Sequence, residues 1–534
     1  MHWADSIAKA LSYRGGKQII ASGITPSGEF HIGHLREILT SDIIKRACHH
    51  KGIDAEFVFF VDDADPLRKV YSFLDESYEQ FIGHQLANIP PPDENGKPDY
   101  ERYEAGTSYA KHFLEPFIEA LGRIGVKIDD IIYNYEAYQS GDVAKDSQMA
   151  CNKADEIREI IERVSGRELD EDWFPWNPID SKGSMDGIRI TGWNDPIVSW
   201  VDSEGNEGES DVTKGEGKLP WRVDWPAKWS WRGVTMEPFG KDHGAAGGSY
   251  DTGKEICKLL GKEPPYPTTY EWISLKGVGA MSSSTGVSIG PLEALELVPP
   301  EILRYLIARN KPNRHIDFDT GSALIELADE YQKKLTEIEN GPPGDWDELS
   351  RRQQVAWKKM KGQLIFSRID PADISDSTSN RVTFRHLALL AQIRNNDGDV
   401  WNSLRRSGLI YGEPSDGLTR RLELMRSWIS SEHFPEEFRL RIQTEIGQEA
   451  KENIDERDTE YLKAIFSGLS ECPWEPEEIN ATICNEARNR DIPLRDAFQT
   501  LYWIVLNQDY GPKLASVLSE IERETVLNLL EMAI

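Results

Sequence analysis

The fold of this chain is decided by the stretch Ile19-Ile20-Ala21-Ser22-Gly23-Ile24-Thr25-Pro26-Ser27-Gly28-Glu29-Phe30-His31-Ile32-Gly33-His34. An apolar run typical of a buried strand leads through a turn of small residues into His-x-Gly-His at a helix start. Phosphate binding needs exposed helix N–H groups and small residues that let the ligand approach the backbone. The order of strand, turn and helix start therefore predicts an ATP-binding turn.

The residues on either side extend this turn into a β-α-β unit. Residues 19–21 are predicted as a strand, 31–49 as a helix and 55–61 as a second strand that ends in Asp62-Asp63-Ala64-Asp65-Pro66. Strands joined by a crossover helix form a parallel sheet, so the fold class is α/β.

The rest of the chain divides into regions of different character. Residues 105–165 look helical, and residues 168–218 are rich in Gly, Asp, Pro and Trp with short alternating strands, as in an insertion. Helix and strand alternate again over 221–289, and amphipathic helices dominate from residue 299 onward. With 534 residues, the chain is too long for one core, and we expect three or more domains.

Composition limits the classes of partner and the compartment. The mean hydropathy of −0.53 and the lack of a long apolar run argue against a membrane protein. No signal-peptide core precedes Gly16, and the five cysteines form no C-x-x-C pair, so we expect a reducing, cytoplasmic location without disulfides or a thiolate zinc site.

The net charge of −30 counts against a nucleic-acid partner, since phosphate binding requires clustered Lys and Arg. Local basic clusters nevertheless occur in the second half, and they permit an RNA partner. For each cluster considered singly, a solvated helix face is the favoured interpretation. The clusters are Arg309, Lys311 and Arg314; Arg351, Arg352, Lys358, Lys359 and Lys361; and Arg405 with Arg406.

Two further glycine-rich segments carry chemistry. Residues 238–248 surround Lys241, Asp242 and His243 with small residues, which would let the backbone lie against a nucleoside or another substrate. A tight turn with Asp242 capping the next helix is an equally good interpretation. Residues 275–286 form a hydroxyl-rich glycine loop, which in isolation is typical of a linker.

Taken in order, His31-Ile-Gly-His34, Gly240-Lys-Asp-His243 and Met281-Ser-Ser-Ser284 before an all-α tail resemble the class I lysyl-tRNA synthetase family. Further matching strings lie at 24–28, 65–70, 219–226, 240–253, 303–307 and 316–319, so the likeness covers nearly the whole chain. The resemblance implies a Rossmann-type catalytic domain at 1–110 and 219–290, split by a connective insertion at 111–218. It further implies a connecting helical fold at 291–345 and an α-helical anticodon-binding module at 346–534.

The resemblance also implies the reaction and its residues. Lysine and ATP would give lysyl-adenylate and pyrophosphate, and the terminal ribose 2′-hydroxyl of tRNA(Lys) would then take the lysyl group. Mg²⁺ would accompany ATP, and neither DNA nor a membrane is expected as a partner. The implied catalytic residues are His31, His34, Lys276, Ser282, Ser283 and Ser284; the implied ATP-binding residues are Thr25, Pro26, Ser27, Gly33, His34, Gly240, Asp242 and Met281.

Substrate choice depends on charge. The glutamyl-tRNA synthetase family places an Arg on the first strand to hold the substrate carboxylate, and Ala21 occupies that position here. A lysine side chain needs a carboxylate for its ammonium and aromatic walls for its methylenes. The candidates are Gly23, Thr25, Glu37, Trp221, Asp224, His243 and Tyr270, although Trp221 and Tyr270 are equally interpreted as core aromatics.

Two departures from the family pattern stand out. The family places lysines around its Ser-rich loop, where this chain has Ala280, Ser283 and Thr285, so Lys276 would have to substitute. Many relatives carry C-x-x-C pairs in the insertion, and their absence here predicts an insertion without structural zinc, stabilised by packing. The alternatives are therefore a tRNA-binding paralogue with weakened catalysis, or glutamyl-type specificity. The likeness suggests that activation requires tRNA.

Overall fold

The computed structural model describes residues 1–275, 279–280, 289–319, 321–369, 382–454 and 456–534. These residues form two compact units. The first comprises Met1–Leu295, Pro300–Phe318 and Pro342–Asp373, and the second comprises Glu296–Pro299, Asp319–Gly341 and Ile374–Ile534. Within the described ranges, no helix is both long enough and apolar enough to cross a bilayer.

The strands are short, and most of them lie in the first half of the chain. In chain order they are β1 (Gln18–Ile24), β2 (Ala55–Val61), β3 (Asp130–Tyr133), β4 (Asn177–Pro178), β5 (Arg189–Asn194), β6 (Ile197–Val201), β7 (Glu207–Asp211), β8 (Gly217–Lys218), β9 (Met236–Gly240), β10 (Tyr266–Tyr270), β11 (Ile273–Leu275), β12 (Gly279–Ala280) and β13 (Ile316–Phe318).

The helices dominate the second half of the chain. They are α1 (Trp3–Ser12), α2 (Leu35–His50), α3 (Tyr100–Glu104), α4 (Tyr109–Arg123), α5 (Asn134–Ser140), α6 (Ala144–Asn152), α7 (Ala154–Ser165), α8 (Trp221–Arg232), α9 (Ser249–Leu259), α10 (Pro291–Leu297), α11 (Pro300–Ala308), α12 (Ser322–Glu339), α13 (Arg351–Ser367), α14 (Phe384–Ile393), α15 (Asp397–Arg406), α16 (Asp416–Ser430), α17 (Gln448–Asn453), α18 (Glu456–Glu471), α19 (Pro476–Arg488), α20 (Leu494–Leu506), α21 (Leu514–Ser519) and α22 (Arg523–Ala533).

A five-stranded parallel sheet in the order β10-β9-β1-β2-β3 forms the centre of the first unit. Strands β1 and β2 pair from Gln18 opposite Ala55 to Ile24 opposite Val61. From β1 the sheet grows to one side through β2 and β3, and the chain then returns to the other side of β1 for β9 and β10. The strand order therefore reverses between β1 and β9. In open α/β sheets, ligands bind at such a reversal, beyond the carboxyl ends of the strands.

Strands β1 and β2 are buried on both faces, which explains why their sequences are nearly continuous apolar runs. Helix α2 crosses over between them and is itself almost wholly buried. Among its buried charges, the carboxylate of Asp42 pairs with Arg46, at 2.8 Å, and with Arg304 of α11, at 2.5 Å. The guanidinium of Arg36 instead donates to the backbone carbonyls of Lys311 and Pro312. Pairing offsets the cost of removing these charges from water.

The insertion packs against the sheet-flanking helices of the same unit. Strands β5, β6 and β7 form an antiparallel sheet, and the buried side chains of this region join those of α8 and α9 in one core. Trp176 is fully buried there, and its indole N–H donates to Ser210 Oγ at 2.8 Å. Tryptophan packing of the expected kind is thus present.

The second unit consists mainly of helices. A continuous apolar core joins α18, α19, α20, α21 and α22. The fold class is confirmed: a parallel α/β sheet, an inserted α+β region and a helical C-terminal part. Strand β3, at 130–133, lies within the range predicted to be helical and assigned to the insertion, and α13 belongs to the first unit. The domain boundaries themselves stay predictions.

Removing the side chain at the centre of α2 tests this account of the core. Leu39 is fully buried, so Leu39→Ala should lower the free energy of unfolding by about 2–5 kcal/mol, measured by urea denaturation with tryptophan fluorescence. The control Val355→Ala removes a half-exposed side chain from α13 and should change it by less than about 0.5 kcal/mol. Equal losses in both variants would contradict the assignment of α2 to the core.

Candidate functional site

The carboxylate of Glu37 organises the end of strand β1. Its Oε1 accepts hydrogen bonds from Ser22 Oγ at 2.6 Å and from the Gly23 N–H at 3.2 Å, and its Oε2 accepts one from the Tyr270 hydroxyl at 2.6 Å. Burial raises the pKa of Glu37, while the three donors favour its ionised form. The carboxylate is therefore fixed in place between α2, β1 and β10.

A small cavity, here called the acidic cavity, lies beside this carboxylate at the carboxyl ends of β1 and β9. Its volume is about 140 Å³. Its carboxyl groups are Glu37, Asp62 and Glu237, and its aromatic wall consists of Phe60, Trp221, Trp225, Phe239 and His243. A site with several carboxyl groups and aromatic faces suits an aliphatic cation.

The aromatic wall is built by α8 and the turn after β9. The rings of Trp221 and Trp225 stack with centroids 5.5 Å apart, and the centroid of His243 lies 5.3 Å from that of Trp221. Burial lowers the pKa of His243, which keeps the imidazole neutral at pH 7. The wall is thus aromatic and uncharged.

A second cavity of about 190 Å³, here called the histidine cavity, shares Gly23, Ile24 and Glu37 with the first. His31, Gly33 and His34 also line it. The shared residues place the two cavities side by side, so that a ligand in each could meet at the end of β1.

The two histidines form a capping box at the short 3₁₀ turn Ile32–His34 that precedes α2. The Gly33 N–H donates to His31 Nδ1 at 3.1 Å, and the His31 N–H donates to His34 Nδ1 at 3.2 Å. Burial lowers the pKa of His31 to about 4, and burial together with the neighbouring His31 lowers that of His34 to about 3. Both imidazoles are neutral at pH 7.

A buried ionic network lies next to the acidic cavity. Lys228 pairs with Asp62 and, at 2.9 Å, with Asp224; Lys218 pairs with Asp65. Asp224 also accepts hydrogen bonds from the Tyr138 hydroxyl at 2.7 Å and from the Asn134 amide at 3.1 Å. Although burial opposes its ionisation, Lys228 and Lys218 hold the pKa of Asp224 at about 2. Asp224 therefore positions Lys228 and does not line the acidic cavity.

The turn residues predicted to bind ATP are divided between spaces. Thr25 lines the acidic cavity and donates from Oγ1 to Asp65 Oδ2 at 3.3 Å. Ser27 faces a neighbouring cleft, and its carbonyl accepts a hydrogen bond from the Tyr109 hydroxyl at 2.8 Å. Pro26 is buried in the turn.

Gly240 ends strand β9, where a Cβ atom would lie 3.1 Å from the indole ring of Trp272, so a side chain there would crowd this ring of the histidine cavity. Asp242 is exposed. Helix α9 begins at Ser249 with Gly248 as its N-cap and without a side-chain cap, so the interpretation of Asp242 as the cap of that helix is wrong. The predicted loop residues Lys276, Met281, Ser282, Ser283 and Ser284 lie outside the described residues.

Three charged residues of the acidic cavity were missed from the sequence: Asp62, Lys228 and Glu237. The wall residues Phe60, Trp225 and Phe239 were missed as well. Glu237 could have been predicted as a site residue, because a carboxyl group within the otherwise apolar strand β9 is unusual for a structural residue. The Trp229 indole N–H donates to it, and burial together with Glu37 raises its pKa to about 7.

The buried histidines predict a pH dependence of stability. Because the folded pKa of His34 lies below that of the unfolded chain, the unfolded state takes up a proton first and stability falls as pH falls below about 6.5. His34 alone should remove about 2 kcal/mol of unfolding free energy between pH 7 and pH 5. Denaturation curves of His34→Gln should lack this component, whereas His50→Gln, at an exposed position, should keep it. Identical pH slopes for wild type and His34→Gln would contradict the burial of this imidazole.

Comparisons with known proteins agree with one another. The family described as tRNA synthetases class I (K) matches residues 1–361. A lysine–tRNA ligase from Thermoplasma acidophilum is 36% identical over 98% of this chain and 97% of its own length. A lysine–tRNA ligase from Archaeoglobus fulgidus is 36% identical over 100% of both chains. The similarity therefore extends through the helical C-terminal part, beyond the range that the family description covers.

Proposed function

Because the chain belongs to the class I (K) tRNA synthetases, we propose that it ligates L-lysine to tRNA(Lys) at the expense of ATP. The carboxylate of lysine attacks the α-phosphorus of ATP and expels pyrophosphate, which leaves lysyl-adenylate. The terminal ribose 2′-hydroxyl of the tRNA then attacks the lysyl carbonyl carbon, loses its proton and expels AMP. The observation that carries the assignment is the acidic cavity, which meets the histidine cavity at Glu37.

The acidic cavity is assigned to the side chain of the lysine substrate. Glu37 would pair with the ε-ammonium, and its bonds to Ser22 and Tyr270 hold the carboxylate ready before the substrate arrives. Trp221 and His243 would cover the methylenes. Tyr270 is buried, and through its hydrogen bond it orients Glu37.

Electrostatics favour lysine over glutamate. The basic side chains among the described residues of the acidic cavity are Lys228 and His243. Lys228 is already paired with Asp62 and Asp224, and the lowered pKa of His243 keeps it uncharged. A glutamate side chain would therefore bring a further negative charge beside Glu37 and Glu237 without a free cation to balance it.

The histidine cavity is assigned to ATP. Adenylate formation needs positioning of the reactants and stabilisation of charge more than it needs a general base. Neutral His31 and His34 would serve as hydrogen-bonding groups at the nucleotide, with Gly33 admitting it to the backbone. Mg²⁺ is proposed to accompany ATP on its phosphates. Anticodon binding is assigned to the helical module, and the reaction to the cytoplasm.

Amino-acid discrimination tests this assignment directly. ATP–pyrophosphate exchange, measured with and without tRNA, should proceed with lysine, and aminoacylation with lysine should exceed that with glutamate by roughly 10⁴-fold in kcat/KM. Exchange with glutamate alone would overturn the lysine assignment. No exchange under any of these conditions would instead indicate a tRNA-binding paralogue without catalysis.

The role of Glu37 is tested by Glu37→Gln, which keeps the shape of the side chain and removes its charge. We expect kcat/KM for lysine to fall roughly a hundredfold while KM for ATP stays near its original value, because the buried ammonium loses its partner. The exposed Glu119→Gln is the control and should match the wild type. A fall in ATP affinity as large as that in lysine affinity would rule out the assigned role.

A further inference from the structure

Glu237 is a buried carboxyl group in the middle of the parallel sheet. Its strand, β9, lies between β10 and β1, and all five residues of that strand are buried. Only 3% of Glu237 is exposed, and it lines the acidic cavity together with Glu37. The assignment above makes Glu37 the ligand of the substrate ammonium and gives Glu237 no contact with it. The second carboxyl group of this cavity is therefore left without a function.

Two indole groups of α8 hold Glu237 in place. The Trp229 indole N–H donates to Glu237 Oε2 at 2.5 Å, and hydrogen bonding from both Trp225 and Trp229 favours the ionised form of the carboxyl group. Among the described residues, Glu237 forms no ion pair. Trp225 also belongs to the wall of the acidic cavity, so the carboxyl group is fixed where a ligand in that cavity can reach it.

The titratable groups that surround Glu237 come from every element packed against it. Lys228 is bonded to Asp62 and Asp224, the lowered pKa of His243 keeps the imidazole neutral, and burial together with Glu37 raises the pKa of Tyr270 well above its usual value. The negative charge of Glu37 is therefore the one that most directly opposes ionisation of Glu237. The surrounding groups are Glu37 of α2, Asp62 after β2, Lys228 of α8, His243 after β9 and Tyr270 of β10.

Two carboxyl groups at one buried cavity do not both ionise readily unless a cation lies between them. Glu37 accepts three hydrogen bonds, which favour its ionised form. Burial and the charge of Glu37 raise the pKa of Glu237 to about 7. In the protein without substrate, Glu237 is thus about half protonated at pH 7. A cation in the cavity would favour loss of this proton.

The number of hydrogen-bond donors on an ammonium group also calls for a second acceptor. A carboxylate offers about four acceptor sites, and Ser22, Gly23 and Tyr270 already occupy three of those on Glu37. An ammonium group has about three N–H donors, so Glu37 has room for one of them. A buried N–H without an acceptor costs free energy, and Glu237 is the carboxyl group of this cavity that is free of an ion pair.

We propose that Glu237 is a second carboxylate ligand of the lysine ε-ammonium, together with Glu37, and that it releases its proton to water when the ammonium enters the cavity. This assignment rests on the proposed function, since the ammonium is that of the lysine substrate. The ammonium keeps its three protons and donates to both carboxylates. A neutral side chain of the same length cannot displace the proton, so the site selects for charge as well as for shape.

The experiment counts the protons released when lysine binds. L-Lysine is titrated calorimetrically into the full chain in the presence of tRNA(Lys) at pH 7, in phosphate and in Tris, whose enthalpies of ionisation differ. The difference between the two observed enthalpies gives the number of protons released. Lysine affinity is also measured from pH 6 to pH 8. The variant is Glu237→Gln, whose amide oxygen can still accept from Trp229, and the control is Glu263→Gln at an exposed position before β10.

We expect the wild type to release about half a proton per lysine at pH 7. Its lysine affinity should rise roughly tenfold from pH 6 to pH 8, because the ionised fraction of Glu237 rises from about one tenth to about nine tenths. Glu237→Gln should release no proton and bind lysine with an affinity that is independent of pH in this range and roughly tenfold weaker at pH 8. Its ATP affinity should stay at the wild-type value, and Glu263→Gln should match the wild type throughout.

Wild-type lysine binding without proton release would overturn the assignment of Glu237 while leaving the proposed function intact. Undiminished release by Glu237→Gln would overturn it as well, since the proton would come from another group.

Should Glu237→Gln fail to fold, His243→Gln decides the source of the proton. Release that persists in this variant supports Glu237, whereas release lost with the imidazole would overturn the assignment. If the wild type neither binds lysine nor charges tRNA with it, both the proposed function and the role of Glu237 are overturned.

Discussion

The structure of the candidate site depends on one buried carboxylate. Glu37 extends from α2 and is held by Ser22 and Gly23 at the end of β1 and by Tyr270 at the end of β10. A carboxylate taken out of water is tolerated only when its oxygens are bonded, so these contacts fix how closely α2 approaches the two strands. Because Glu37 lines both cavities, the same contacts also fix where the two proposed substrates would meet.

The other carboxyl groups around Glu37 differ in whether they are paired with a lysine. Lys228 pairs with both Asp62 and Asp224, and Lys218 pairs with Asp65, so these acids are tied into the framework of the fold. Glu37 and Glu237 form no ion pair of this kind among the described residues. Burial raises the pKa of both carboxyl groups, and the hydrogen bonds they accept oppose that shift. The carboxylate of Glu37, held by hydrogen bonds, is therefore left without a paired cation in the acidic cavity. This arrangement suits the ammonium group of a lysine substrate.

Local sequence patterns predicted much of the fold. The strand at 55–61 was predicted with its observed bounds, and the first strand and the helix after it lie where the apolar run and the His-x-Gly-His sequence indicated. Strand β3 was missed because its four residues are only half buried and sit between helices, so neither length nor burial gave a signal. The capping box of His31 and His34 is a finding of the structure.

The sequence by itself determined the parallel α/β sheet, the order of the regions and the family. These follow from short-range periodicity and from the order of motifs along the chain, and neither requires a structure. It also singled out Glu37, Trp221, His243 and Tyr270, which the structure brings around two adjoining cavities. Only the tertiary structure decided that Asp224 is saturated by Tyr138, Asn134 and Lys228, and that Glu237 faces the cavity. Those facts depend on which side chains, distant in sequence, become neighbours in the fold. Whether a buried charge finds a partner cannot be predicted from the residues next to it in the sequence.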